Sequence, residues 1–131
     1  MKKPLNAVNI FAIVLGIFLV TEGIWGIFSP VVFWVFTTNI LHAVIHLFLG
    51  VTAIYLGSRN QARKFCLFAG ILLLTVGILY FIPGADEFVI SLLNVNNAVT
   101  YLNIIVGIIA ILLALLTPKR IVHTGENMQP R

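Results

Sequence analysis

The stretch from Ala7 to Phe28 reads AVNIFAIVLGIFLVTEGIWGIF and contains a single charged residue, Glu22. A helix needs about 20 consecutive, mostly apolar residues to cross the hydrocarbon core of a bilayer. This stretch is long enough for that. It is also too long for the apolar region of a signal peptide, and no small-x-small cleavage site closes it. It therefore predicts a retained membrane-spanning helix.

Three more apolar stretches follow, each bounded by polar or helix-breaking residues. Asn39 and either Asn96 or Asn97 are candidate N-caps, and Pro or Gly lies near each end. The sequence thus predicts an all-α protein, a bundle of four transmembrane helices. Residues 31–36 are apolar but too few to span, and we expect them along the outer interface with Trp34. The four predicted spans are Ala7–Phe28, 40–56, 65–82 and 98–116.

The composition of the whole chain agrees with a membrane protein. Of its 131 residues, 60% are hydrophobic and 9% are charged, whereas soluble domains carry about 25% charged residues. Lipid is therefore the expected outer solvent of a single domain, 1–131, with a polar tail at 117–131. No basic patch interleaved with aromatic residues is present, so we expect no nucleic-acid partner. The single cysteine, Cys66, excludes an internal disulfide.

The positive charges predict the orientation of the chain in the membrane. All Lys and Arg lie in three segments that four spans place on one side, and the positive-inside rule makes that side the cytoplasm. The opposite loops carry no Lys or Arg, and one carries Asp86 and Glu87. We therefore expect a multi-pass protein of the inner (plasma) membrane with both termini cytoplasmic. The basic residues are Lys2, Lys3, Arg59, Arg63, Lys64, Lys119, Arg120 and Arg131. The aromatic residues expected near the outer boundary are Trp25, Trp34, Tyr80 and Tyr101.

The two halves of the chain resemble each other. Residues 16–24, GIFLVTEGI, match residues 70–78, GILLLTVGI. Residues 39–50 and 96–107 share an Asn, a polar residue seven positions later and a Gly four positions after that. These matches predict a tandem pair of helical hairpins that insert in the same direction, related by an axis along the membrane normal. The predicted repeats cover about 7–57 and 62–116.

Glycine recurs within the predicted spans. In lipid, small residues allow helix backbones to approach closely, which favours helix association. The glycines are therefore interpreted as packing positions rather than as a ligand-binding loop. They are Gly16, Gly23, Gly26, Gly50, Gly70, Gly77 and Gly107.

Several polar residues are predicted to lie inside the membrane at similar depth, counted from the outer helix ends at about 1.5 Å per residue. They are expected to form one cluster that opens toward the outer side. Because burial penalises an isolated carboxylate, Glu22 is expected to be protonated or paired with a histidinium. The set comprises Glu22, His42, His46, Asn103, Thr21 and Thr75.

Three interpretations of this cluster remain open from the sequence. The side chains can hydrogen-bond one another and fix the register of the bundle. They can instead form a proton or ion pathway, since ionisable residues in a membrane often mark one. Finally, His42 and His46, four residues apart on a helix, can hold a metal or haem iron with Glu22 as a third metal ligand.

No pattern of residues typical of catalysis is present. Ser29, Ser58 and Ser91 have no acid–base partner nearby in the sequence, and neither a phosphate-binding loop nor HExxH occurs. Nothing near Cys66 would activate its thiol. We therefore expect a protein that is not an enzyme and has no resident cofactor, apart from the metal or haem alternative.

The pattern Asn39-x-x-His42-x3-His46-x3-Gly50, with its echo at 96–107, resembles a bacterial family of small four-span membrane proteins of unknown function. The resemblance covers most of the chain and implies an integral four-helix membrane protein, but no activity. Where family members look to have His in the fourth span, this chain has Asn103. That difference argues against a two-fold symmetric histidine site.

The leading functional prediction is a non-enzymatic accessory or structural membrane protein. So little of the chain lies outside the bilayer that recognition is expected to use the lipid-facing surface, for a homo-oligomer or for association with a larger membrane complex. The alternatives are a small transporter or channel for protons or metal cations using Glu22, His42 and His46, and a metal- or haem-binding membrane protein.

Overall fold

The structure, a computed structural model, describes residues 3–119 and is almost entirely helical within that range. Four helices are long and apolar enough to cross a membrane, which confirms the predicted fold class. A fifth, shorter helix and a two-stranded antiparallel hairpin were not predicted. The elements are α1 (Ala7–Phe28), β1 (Val31–Val32), β2 (Phe36–Thr37), α2 (Ile40–Ser58), α3 (Ala62–Leu79), α4 (Ala85–Leu93) and α5 (Asn97–Leu116).

Asparagine side chains begin three of the long helices. Asn39 caps α2 by accepting the amide N–H of His42 at 2.9 Å, and Asn96 caps α5 by accepting that of Val99 at 3.0 Å. An N-cap side chain satisfies an amide that has no partner within the first helical turn. These two caps confirm the predicted helix starts and select Asn96 over Asn97. Asn6 caps α1 in the same way.

The predicted bounds of the third span were wrong by about one turn at each end. The helix begins at Ala62 rather than residue 65, because the Ala62 amide N–H donates to the Asn9 side chain at 3.0 Å and a charged turn can still be helical. At the other end α3 stops at Leu79, and residues 80–82 continue as tighter turns, with Ile82 N–H donating to Leu79 O. The prediction followed the apolar residues of the span, whereas the start and end of the helix are set by its hydrogen bonds.

The long helices associate as two hairpins, α1 with α2 and α3 with α5. A Cβ atom added to Gly50 would lie 2.8 Å from the carbonyl oxygen of Gly16, and one added to Gly107 would lie 2.8 Å from that of Gly70. Side chains at these positions would push the helices apart, so glycine is what permits the close approach. The same contact thus occurs at matching positions of the two predicted repeats.

Both described chain ends lie at one end of the bundle, which we call the terminal end. There the Arg63 side chain donates through Nε to the Thr117 carbonyl at 2.8 Å, and Asn9 donates to Asn60 at 3.1 Å. The opposite end, the loop end, carries the strand hairpin and α4. Lys2 and the predicted tail from residue 120 onward, including Arg120 and Arg131, lie outside the described residues.

The strand hairpin folds back along α1 at the loop end. Its turn places Phe33 and Trp34 in the left-handed region, at φ 50° and 58°, a conformation that non-glycine residues adopt only at a cost of about 1–3 kcal/mol each. Aromatic packing offsets part of that cost: the Phe33 ring lies 5.9 Å from Phe18, and the Trp34 ring 5.4 Å from Trp25. These contacts fix the segment against the bundle.

Each hairpin is capped by the connecting segment of the other. The Asn39 side chain at the start of α2 donates to the Leu92 carbonyl in α4 at 2.9 Å. At the start of α5, Asn96 donates to the Val35 carbonyl in the strand hairpin at 2.8 Å. The two capping asparagines therefore bind the hairpins to one another and bring α4 over α2, beside the predicted polar residues.

Candidate functional site

Glu22 and His46 form a buried pair between α1 and α2. The distance from Glu22 Oε2 to His46 Nδ1 is 3.0 Å, and their side chains are 7% and 9% exposed. Gly23, beside Glu22, lets the α2 backbone approach, since a Cβ there would lie 2.8 Å from the Ala43 carbonyl. An ionisable pair is stable inside a membrane when it is closely paired in this way.

His42 lies one helical turn from His46, toward the loop end. The two imidazole rings are 4.2 Å apart and nearly perpendicular. His42 Nδ1 is 3.0 Å from the carbonyl of Leu93, the last residue of α4. Because a carbonyl only accepts, the Nδ1–H of His42 donates to it. The His42 ring therefore contacts both the buried His46 and the end of α4 at the loop end.

Asn103 of α5 is buried opposite this pair, where the second hairpin meets the first. Together with Glu22, His42 and His46 it forms what we call the polar cluster. Two small cavities meet at the cluster, both lined by Glu22, His46 and Asn103. Each offers about 10 Å³ to the centre of a water molecule, the space that roughly one water needs.

The two cavities differ in what surrounds them. The one nearer the loop end is lined additionally by His42 and by the hydroxyl residues Thr37 and Thr38. Above it, the Asn94 side chain donates to the Thr38 carbonyl at 2.7 Å, and Thr37 donates to the Asn94 carbonyl at 2.6 Å. We call residues 37–38 and 93–94 the roof. The other cavity is lined mainly by apolar side chains: Leu15, Phe18, Leu19, Leu73, Leu102 and Val106.

The interior toward the terminal end is apolar. Among the described residues, the next buried side chain with an amide or carboxyl group in that direction is Asn9, at the start of α1. Between the two levels lies a layer of packed aliphatic and aromatic side chains, which includes Leu15, Leu19, Leu49, Ala53, Ala69 and Ala110. The polar cluster is therefore connected to one end of the bundle and separated from the other.

Comparison with protein families adds an independent observation. A family described as a domain of unknown function, DUF4383, matches residues 9–116 and so includes nearly all of the four spans. The chain belongs to the DUF4383 family. Searches of curated proteins and of solved structures found no match.

DUF4383 membership agrees with the predicted resemblance to a family of small membrane proteins of unknown function. It assigns no role to the pattern at residues 39–50, so the function of the histidines in this DUF4383 chain remains a prediction. The geometry of the polar cluster is the available guide to that function.

Two predicted members of the cluster lie elsewhere in this DUF4383 chain. Thr21 and Thr75 are turned away from the interior, and their hydroxyls donate to the carbonyls of Ile17 and Ile71 at 2.8 and 2.7 Å. A threonine in a helix can satisfy its hydroxyl on the carbonyl four residues earlier, so it does not need a polar neighbour. Similar depth along the helix did not mean the same helix face.

The predicted metal ligands are not gathered into a metal-binding group. Within residues 3–119, no set of three or more His, Cys, Asp or Glu side chains has the arrangement needed to hold an ion. In both imidazole rings the Nδ1 atom is hydrogen-bonded, that of His42 to the Leu93 carbonyl and that of His46 to the Glu22 carboxyl group. The two imidazoles and the carboxylate are engaged in hydrogen bonds through these atoms.

No pattern in the sequence indicated the groups that close the site. The roof depends on the backbone carbonyls of Leu93, Asn94 and Thr38, which any residue type would supply. Asn94 is left-handed, at φ 50°, and ends α4. An asparagine before a new helix was a visible signal for a helix end, but nothing indicated which helix it would contact.

Proposed function

We propose that this protein is a non-enzymatic accessory or structural component of the membrane, which associates through its lipid-facing surface with copies of itself or with a larger membrane complex. One observation carries the proposal. The ionisable side chains of the spans, Glu22, His42 and His46, are buried inside the bundle, while the outward faces of the four long helices are mostly apolar. Recognition would then use shape and van der Waals packing in the bilayer.

The short segments between the spans support the same proposal. Residues 59–61 form a turn, and the strand hairpin and α4 are bonded to the helices beneath them. Among the described residues, no segment between the spans is long enough to form a separate soluble domain. We therefore expect no enzymatic activity and no resident cofactor.

Cysteine crosslinking can locate the associating surface. Single cysteines at one lipid-facing position of each long helix, in a Cys66→Ala background, are oxidised in the membrane. Suitable exposed positions are Ile17, Phe48, Phe68 and Ile108. We expect efficient crosslinking from one or two helices and none from Ala12→Cys, whose site is buried. Native mass spectrometry from a mild detergent should show an oligomer or a co-purifying protein. A monomer without crosslinks at any position would contradict the proposal.

Transport is the competing proposal, and the Glu22–His46 pair beside a water-sized cavity is what favours it. The apolar layer between the polar cluster and the terminal end argues against a continuous path, because ions do not cross apolar packing without water or polar groups. Proteoliposomes with a pH-sensitive or metal-sensitive dye inside distinguish the two. We expect no flux above that of empty vesicles. Flux that is lost in Glu22→Gln would establish transport instead.

A metal or haem site is tested most directly on the purified protein. We expect no visible absorption band and no stoichiometric metal by elemental analysis. A stoichiometric metal that disappears in His46→Ala would show that the cluster rearranges around an ion.

We also propose that the terminal end faces the cytoplasm, in an inner (plasma) membrane of a bacterium. The described basic residues Lys3, Arg59, Arg63, Lys64 and Lys119 all belong to the terminal end, whereas the loop end carries Asp86 and Glu87. This distribution is the one that the positive-inside rule associates with a cytoplasmic terminal end.

A further inference from the structure

The polar cluster holds unequal numbers of acidic and basic groups. One carboxyl group, Glu22, pairs with His46, and the second imidazole, His42, has no carboxylate of its own. Among the described residues, the elements around them contribute no further titratable group. The groups that face the cluster from these elements are the side chains of Leu73 in α3, of Leu102, Asn103 and Val106 in α5, and of Val32, Phe36, Thr37 and Thr38 in the segment 32–38, together with the Leu93 carbonyl of α4. Three side chains therefore determine its charge.

The number of bound protons sets the net charge of this buried site. With one proton shared by Glu22 and His46, the cluster is neutral overall, either as an ion pair or as its uncharged equivalent. Burial favours that state over one with a net charge. A second proton gives the cluster a net positive charge, and on His42 beside the ion pair it would place two imidazolium rings, 4.2 Å apart, against a single carboxylate. At that distance and away from bulk water, like charges repel strongly.

His42 is also the side chain that contacts the roof. Its ring donates to the Leu93 carbonyl, and the next residue, Asn94, exchanges hydrogen bonds with Thr37 and Thr38. Repulsion that displaces the His42 ring from His46 would therefore move the point at which α4 is attached to α2.

The two ends of the bundle differ in what separates the polar cluster from the solution. The cavity lined by Thr37, Thr38 and His42 has room for a water and lies directly beneath the roof. Toward the terminal end the apolar layer intervenes. A water in the first cavity would have hydroxyl, imidazole and carboxyl partners, which is the environment that buried waters require.

We propose that Glu22, His46 and His42 form a proton-binding site that exchanges only with the solution at the loop end, and that uptake of a second proton loosens the roof. The ligand is a proton delivered by water. The site would make the loop end respond to acid without moving protons across the membrane. This inference goes beyond the accessory role and does not depend on it.

Electron paramagnetic resonance of a nitroxide on α4 tests the inference. Ser91 is exposed, near the end of α4, so the label goes on Ser91→Cys in a Cys66→Ala background, in lipid vesicles. Acidifying both sides stepwise from about pH 7.5 to about pH 3.5, past the range over which free histidines titrate because burial and the neighbouring imidazole oppose the second proton, should increase label mobility reversibly. A label on Ser58→Cys, at the terminal end, serves as the control and should not respond.

His42→Gln is the matched variant. Its amide can still donate to the Leu93 carbonyl but does not titrate, so the roof should remain in place and the acid response should disappear. An unchanged signal in the parent protein would overturn the inference, and so would an equal response in His42→Gln.

One-sided access is tested in the same vesicles. Ascorbate, which does not cross the bilayer, first reduces the nitroxides whose loop end faces the bulk solution. The surviving labels face the lumen, and acidifying the bulk alone should leave them unchanged while the lumen stays buffered. A rapid response of these labels would show proton access from the terminal end. None of these outcomes bears on the crosslinking test, so failure of this inference leaves the accessory role standing.

Discussion

Glu22 and His46 are hydrogen-bonded to each other where α1 meets α2. Removing one member of a buried ion pair leaves the other uncompensated, which typically lowers the free energy of unfolding by about 3–5 kcal/mol. Replacing a charged group with a neutral one that still hydrogen-bonds costs less, because the remaining partner is satisfied. Comparing the two kinds of substitution therefore distinguishes how much the polar pair and how much side-chain packing contribute to the free energy of unfolding.

We expect His46→Leu to lower the free energy of unfolding by about 3 kcal/mol or more and Glu22→Gln by about 1 kcal/mol. Unfolding of the purified protein by sodium dodecyl sulfate in mixed micelles measures both. Thr21→Val, at the neighbouring lipid-facing position, should stay within about 0.5 kcal/mol. Equal losses for His46→Leu and Glu22→Gln would mean that the pair is not what stabilises this part of the bundle.

At the scale of the helices, the closest contacts are glycine against glycine. Gly50 of α2 lies on Gly16 of α1, and Gly107 of α5 lies on Gly70 of α3. The atom that an added Cβ would meet is a backbone carbonyl oxygen, which cannot rotate away as a side chain would. The helices must separate instead.

Gly50→Ala and Gly107→Ala should each lower the free energy of unfolding by about 1–3 kcal/mol, the usual effect of overpacking a core. The two losses should be similar, because the contacts match. Val51→Ala, next to Gly50 but 60% exposed, is the lipid-facing control and should change little. The same unfolding measurement applies. A stabilising Gly50→Ala would show that the helices can repack around a methyl group.

The capping asparagines of α2 and α5 are a second feature that holds the helices together. Asn39 and Asn96 each accept an amide N–H of their own helix and donate to a carbonyl of the other hairpin's connecting segment. Serine is as good an N-cap as asparagine but has no amide group to donate. Serine substitutions therefore remove the link between hairpins while keeping the helix start.

Asn39→Ser should speed hydrogen exchange of backbone amides in α4, since Leu92 loses its partner, while exchange in α2 stays near that of the parent protein. Asn39→Ala should affect both helices, because it also removes the cap, at a cost of about 1 kcal/mol. Hydrogen-exchange mass spectrometry resolves the two helices. If Asn39→Ser and Asn39→Ala had the same exchange pattern, the cross-link to α4 would contribute nothing beyond the cap.

Across the whole bundle, basic and acidic surface residues lie at opposite ends. The described lysines and arginines lie at the terminal end, and Asp86 and Glu87 lie at the loop end. The terminal end is therefore the part of the chain expected to remain in the cytoplasm during insertion.

Labelling with a membrane-impermeant maleimide checks the orientation. Glu87→Cys should react in intact cells, and Ser58→Cys should react only in inverted membrane vesicles. Cys66 is fully buried, so the parent protein provides the background and should remain unlabelled. Reaction of Ser58→Cys in intact cells would reverse the proposed orientation.

The membrane fold could be predicted from local features of the sequence alone. Span length, the bounding caps and the glycine spacing follow from local chain properties, so the bounds of α1 and the start of α2 were predicted correctly and the start of α5 to within one residue. The sequence also singled out Glu22, His42, His46 and Asn103, because polar side chains are conspicuous in apolar spans. The family match is consistent with this and adds no activity.

Which of the polar residues meet could be learned only from the packed helices. Thr21 follows the same pattern of depth as Glu22 but faces lipid, because its neighbour one position along the helix points about 100° away. The placement of α4 and the roof depends on contacts between residues more than 50 positions apart in the chain, such as His42 with Leu93. Backbone carbonyls make those contacts, and every residue has one, so the sequence does not identify the carbonyl that closes the site.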